Sequence, residues 1–194
     1  MAKNKVKYNL KNAHYAMLTV DEEGTVSYAS PVALPGAVSI SLDANGEPEN
    51  FYADGVAYYV INNNMGYDGD LELAMIPEDF RVSALNETLD DKKVLIENAN
   101  TELNPFALLF EFDGDVKHIR HVLYNCSASR PGIEGKTNEE NREVQTETLS
   151  IKATPLASGV VKAKTGDSTD ATVYADWYKA VYMPSIAETG SGMD

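Results

Sequence analysis

Two runs of aromatic and β-branched residues, Phe106 to Phe112 and Val116 to Tyr124, flank the pair Asp113-Gly114. An Asp-Gly pair between such runs is the strongest short-range hairpin signal, because both residues tolerate the positive φ of a type I′ turn. Strands this long commit the chain to a sheet. Two registers stand open. A two-residue Asp113-Gly114 loop pairs Phe112 with Asp115. A three-residue loop ending at Asp115 pairs Phe112 with Val116 and Glu111 with Lys117. The second is preferred, since it sets apolar partners and opposite charges across the ladder.

The rest of the chain organises around this hairpin. Residues 14–20, 36–42 and 55–62 read as strands, each β-rich and bounded by Gly, Pro, Asn or Asp. Asp43 to Asn50 is a polar excursion that reads as a long loop, and the whole 43–54 segment is too polar to be core. A strand is expected at 71–76. Pro77, Glu78 and Asp79 then open a helix with Phe80, Ala84 and Leu85 on its apolar face and Asn86 as its stop. Strand character returns at 93–97, 104–126, 144–153 and 160–164, and the polar 127–143 segment, with Arg130-Pro131-Gly132, reads as a loop. Val173, Trp177 and Val181 recur at i+4 and suggest a short second helix stopped by Pro184, although Thr172-Val173-Tyr174 equally suits a strand. About nine strands and two helices make an α+β, mostly antiparallel chain. The expectation is one domain over 1–184 and a frayed tail over 185–194.

At 194 residues, one such domain buries roughly 70% of its unfolded surface and needs no staples. The single Cys126 makes no internal disulfide and reads as a core thiol. No apolar run approaches the ~20 residues of a membrane helix, and the N-terminus is polar, so a soluble protein made in the cytoplasm is expected. The net charge of −14 and a pI near 4.5 give no basic stripe for phosphate. Such a surface either simply keeps a protein soluble or lies beside nucleic acid without adhering to it. Charge alone does not separate the two.

Candidate chemistry is sparse. His118 and His121 form an H-x-x-H in an expected strand, where i and i+3 point to opposite faces and cannot share a metal without a bulge. Cys126 lacks the glycine-rich elbow of a hydrolase nucleophile. Gly135-Lys136-Thr137 ends like a phosphate-binding loop, but the upstream glycine position holds Arg130. Asp68-Gly69-Asp70-Leu71-Glu72 is rich in carboxylates without calcium-loop spacing, and reads as a turn feeding a strand. Asn86-Glu87-Thr88 and Asn125-Cys126-Ser127 fit the glycosylation pattern without a secretory signal beside them. No catalytic, cofactor-binding or metal-ligating residue is assigned, which favours a structural protein.

A set of segments in fixed order adds to this. They are 5–16, Phe51-Tyr52-Ala53-Asp54, 69–77, 106–114, 120–127, Arg130-Pro131, 145–149 and Trp177-Tyr178. In this order the chain resembles the major tail protein family of bacteriophages with long, flexible, non-contractile tails. The resemblance implies a tail tube protein of the virion: two packed β-sheets with a flanking helix, assembled as hexameric rings that stack into a hollow tube. Its partners would be further copies of itself and other tail proteins at the tube ends, with no cofactor and no membrane. DNA would pass through without specific binding. The alternative from another class is an intracellular ligand-binding or Cys/His hydrolytic domain using Cys126 and the histidines.

Overall fold

The computed structural model describes residues 3–138 and 143–185. In chain order the elements are β1 (Lys7–Val20), β2 (Val26–Tyr28), β3 (Val32–Ala33), β4 (Ala37–Asn45), β5 (Glu49–Ala53), β6 (Val56–Ile61) and β7 (Gly66–Leu73). Then come α1 (Glu78–Ser83), β8 (Thr88–Leu89), β9 (Leu95–Ile96), β10 (Phe106–Gly114), β11 (Ile119–Ala128), β12 (Glu147–Ala153), β13 (Lys162–Lys164) and α2 (Ala171–Asp176). The main sheet runs β2-β1-β10-β11-β12-β7-β4, with β3 on β1 and β13 on β11. Every ladder is antiparallel. The sheet curls until β4 packs against β1, so its two ends supply the two layers. The chain is therefore mostly antiparallel β with two short helices.

β10 is central because it is buried on both faces. Phe106, Leu108 and Phe110 point into the curl, where they meet Tyr15, Leu71, Leu123, Cys126, Leu149 and Ile151. The alternate residues Ala107 and Leu109 point outward and pack with Val122, Tyr124 and Trp177. Period-two alternation thus feeds two cores from one strand. α1 closes one end of the inner core: the Phe80 ring sits edge-on between Tyr15 (5.0 Å) and Phe106 (5.3 Å). The helix ends at Ser83 with Ala84 as its cap, earlier than the expected stop at Asn86, which two residues on takes φ 58, a conformation Asn accepts more readily than most residues. α2 covers the outer core. The Asp170 carboxylate caps it by accepting from Thr172 N and Val173 N, and the Trp177 indole donates to His121 O (3.4 Å).

Several expectations need correction. The 106–126 hairpin does not turn at Asp113-Gly114, and neither open register is adopted. β10 runs through Gly114, which pairs with Lys7 of β1, and Phe112 faces Ile119 while Glu111 faces Arg120. The turn lies beyond, at 115–118, held by Asn4: its amide oxygen accepts from Val116 N and Lys117 N, and its amide nitrogen donates to Lys117 O. Gly114 serves closeness, since a Cβ there would lie 2.4 Å from Lys117 O. The opposite-charge criterion itself holds, because Arg120 Nε reaches Glu111 Oε2 at 3.0 Å. Nor is 43–54 a loop. β4 runs to Asn45 and β5 occupies 49–53, ending at an Asp54-Gly55 turn with φ 55 and 79, the type I′ signature. β1 begins seven residues before its expected start, and β11 extends to Ala128. Of the 127–143 loop and the 185–194 tail, residues 139–142 and 186–194 lie outside the described residues.

The two-core arrangement gives a test. Leu109 is fully buried and Ile119 half-buried. Leu109→Asp should therefore lose at least about 3 kcal/mol, and Ile119→Asp only about 1 kcal/mol. Denaturant midpoints compare the two, and equal losses would contradict the placement of β10.

Candidate functional site

β4 and β7 are consecutive partners in one hairpin, and the chain between them, residues 46–65, leaves the body as an arm. Its base is pinched where Met65 N donates to Asn45 O (2.9 Å) and Gly46 leaves no room for a side chain, Asn63 O lying 2.3 Å from where its Cβ would be. Among the described residues, β5 and β6 pair only with each other. Phe51 faces Tyr59 across this ribbon, Asn50 faces Val60 and Tyr52 faces Ala57, with a bulge at Tyr58. Among the described residues nothing covers either face. All six residues of β6 are exposed, Tyr58 at 71% and Tyr59 at 64%, as are Phe51 and Tyr52 on β5. An isolated two-stranded ribbon is at best marginally stable in water. A contiguous apolar surface of this kind marks an interaction site.

The outward face of β12, β7 and β4 is the second feature. Alternate residues of β7, namely Asp68, Asp70 and Glu72, form a row, and Asp43 stands directly opposite Asp68. Hydroxyls and an amide hold these carboxylates in place. Ser39 and Thr146 donate to Glu72 (2.8 and 2.6 Å), Ser150 to Asp70 (2.8 Å) and the Asn45 amide to Asp68 (2.7 Å). The donors from Thr146 and Ser39 lower the Glu72 carboxyl below its usual value, keeping it ionised. None of the four carboxylates is in a salt bridge among the described residues. Lys152, opposite Asp68 on β12, is the cation nearest the row in the ladder. Like charges opposite each other destabilise a sheet, so the Asp43–Asp68 pair is retained against stability.

The residues weighed in the sequence fall elsewhere. His118 sits in the 115–118 turn, with Nδ1 2.7 Å from Asp113 Oδ1. His121 lies on β11, stacked on Phe110 (5.1 Å, 4° between planes). Among the described residues, no group of three or more His, Cys, Asp or Glu is arranged to hold a metal. Cys126 is sealed in the inner core, where burial pushes its thiol up to about 12. Lys136, of the loop resembling a phosphate-binding end, spends its backbone N–H and C=O on the Gln145 amide. Asp68-Gly69-Asp70-Leu71-Glu72 lies in mid-strand rather than a turn. Missed altogether was a buried polar cluster under α2. Glu111 accepts from Asn12 (2.6 Å), Arg120 (3.0 Å) and Tyr178 (3.3 Å), while Lys11 and Asn9 hold Asp113 (2.7 and 2.8 Å). Asn9 and Asn12 reach these carboxylates because each sits in a bulge of β1 at positive φ. This cluster docks one face of the sheet to the C-terminal segment.

Two solution tests follow. Burial, together with Lys164, Lys7 and Lys162 nearby, lowers His121 from 6.5 to about 4. Between these values the unfolded chain binds a proton that the folded chain excludes. Stability therefore falls as pH drops through this window, by at most about 1.4 kcal/mol per pH unit from this group. His121→Gln should flatten that slope in denaturant titrations, and an unchanged slope would contradict the burial of this ring. Cys126 should react with a thiol reagent only after denaturation. Labelling of the native protein at the rate of a free thiol would place it outside the core.

No known protein-family model matches the chain, and no curated protein matches it, so the functional reading rests on the arm and the acidic face.

Proposed function

We propose that this protein is the repeating subunit of a phage tail tube, a structural virion protein that polymerises as stacked hexameric rings around a passive channel for DNA. The observation that carries this reading is the β5–β6 arm, apolar on both faces and uncovered by the described residues. Burying apolar area at about 25 cal/mol per Å² drives association, and a ribbon unfinished in the monomer is completed when another copy covers it. The acidic face supplies the other half. Repeated around a ring, Asp43, Asp68, Asp70 and Glu72 give a wall that repels phosphate, and their alternation on adjacent strands presents them on one surface. Screening limits the effect to roughly 8 Å at physiological salt, so only charges facing the channel act on the DNA. A genome must slide past every ring, and an attractive contact repeated at each one would hold it. The other reading, a ligand-binding or Cys/His hydrolytic domain, gains nothing from Cys126, which offers no thiolate near neutral pH.

Deleting residues 47–64 tests the reading cleanly. It leaves Gly46-Met65 as a two-residue turn between paired Asn45 and Gly66, and Gly suits the first position of a type II′ turn. Concentrated native protein should form rings or tubes by negative-stain imaging, whereas the deletion variant should stay monomeric with an unchanged melting temperature. Native protein that remains monomeric at every concentration would end the proposal. Assembled tubes should also fail to retain duplex DNA in filter binding across a salt series. Tight, steeply salt-dependent retention would mean a channel lined by Lys and Arg instead.

A further inference from the structure

Where β4 and β7 diverge from β11, the inner core opens to solvent in a cleft of about 330 Å³. Its floor is aromatic, formed by Phe110, Phe112 and His121, and Ile40 and Leu42 line one wall. Lysines rim it. Lys7 Nζ lies 4.6 Å above the Phe112 ring and Lys162 Nζ 4.1 Å above that of Tyr67. Among the described residues no carboxylate lines this cleft, in a chain with a net charge of −14. The arm has the opposite character. From residue 12 to residue 80 the chain contains no Lys or Arg, and the arm carries Glu47, Glu49 and, at its tip, Asp54. Asp54 and Gly55 form the two-residue turn, with exposed Tyr52 and Val56 behind it.

We infer that the tip of the β5–β6 arm of one copy seats in this lysine-rimmed aromatic cleft of the next copy. The inference rests on the self-assembly proposed above and names the site where it occurs. The Asp54 carboxylate meets Lys7 and Lys162, while Tyr52 and Val56 pack over the half-buried Phe112 and Tyr67 rings. Two complementary properties coincide, charge and apolar character, and among the described residues none of Lys7, Lys162 and Asp54 is in a salt bridge, Lys162 donating instead to the neutral Tyr67 hydroxyl. A narrow two-residue turn also suits a cleft at the small end of the range for ligand pockets. Opposite charges of this kind select the partner and fix its register.

The test uses engineered thiols, with the buried Cys126 as an inert background. A chain carrying Asp54→Cys and Lys162→Cys should form intermolecular disulfides on mild oxidation of assembled protein, giving a ladder of covalent oligomers. Asp54→Cys alone should give none, and if it cross-links efficiently the arms meet each other and the inference falls. Assembly of the double variant without cross-linking would overturn the docking site yet leave the tube reading intact. Failure of native protein to assemble at all would overturn both. As an independent reading, Lys7→Glu with Lys162→Glu should raise the concentration needed for assembly roughly tenfold or more. Both lysines are exposed, so monomer melting should stay unchanged. An unaltered assembly threshold would count against the site.

Discussion

The whole structure depends on one strand being buried on both sides. β10 sends Phe106, Leu108 and Phe110 into the inner core and Ala107 and Leu109 into the outer one. A slip of one residue would exchange the two sets, placing bulky rings where alanine now fits. Register is therefore fixed first, and the polar end of the strand fixes it further. Glu111, almost wholly buried, finds Arg120 across the ladder and Asn12 from β1. A buried carboxylate with these partners removed would be strongly unfavourable, so the pairing tolerates no shift. α2 then docks over the same strand pair, with the Arg120 guanidinium 4.0 Å from the Tyr174 ring.

What folding explains ends at the edge of that body. The arm exposes tyrosines and valines that a monomer gains nothing from, and the β7 face lines up carboxylates that repel one another. Both features oppose the stability of a single chain. They share a hairpin, β4 to β7, so the acidic row and the apolar arm are parts of one continuous element. Natural sequences depart from local consistency mainly where function requires it. Here the departures cluster in residues 43–72.

The sequence revealed the body better than the working surfaces, for identifiable reasons. Hydrophobic alternation located β10, β11 and β12, and the apolar pattern located α1, because those residues pack against the fold that selected them. The Asp-Gly signal was present three times, at Asp54-Gly55, Asp68-Gly69 and Asp113-Gly114, and the hairpin weight fell on a wrong copy. Asp113-Gly114 continues a strand that pairs with β1, with the Asn4 side chain packed against Gly114 from 110 residues away, a contact no local rule contains. Asp54-Gly55 forms the real two-residue turn, but its flanks lack alternation, since neither face of the arm is buried. The first half of β1 was hidden by polar residues that turn out to be bulge positions aimed at Asp113 and Glu111. The acidic row was legible in principle: Asp68, Asp70 and Glu72 stand at period two, and extending the expected strand five residues upstream would have put them on one face.

Charge is segregated along this chain as well as unbalanced. The 12–80 segment holds the arm and most of the acidic face without a cation, while lysines gather at 3–11 and 162–164. Two such molecules repel as their surfaces approach within roughly 8 Å at physiological salt, where net charge is no longer screened. At closer contact the local groups dominate, and the proposed docking would set an acidic tip against a lysine rim. Repulsion and attraction thus act at different distances. In the proposed assembly, random encounters would bring acidic surfaces together far more often than tip and cleft, so association would wait on a copy already held in the correct orientation, which presents its arm without a search. The charge that, on the proposed reading, keeps a channel wall from binding DNA would then also disfavour misdirected contacts between free subunits.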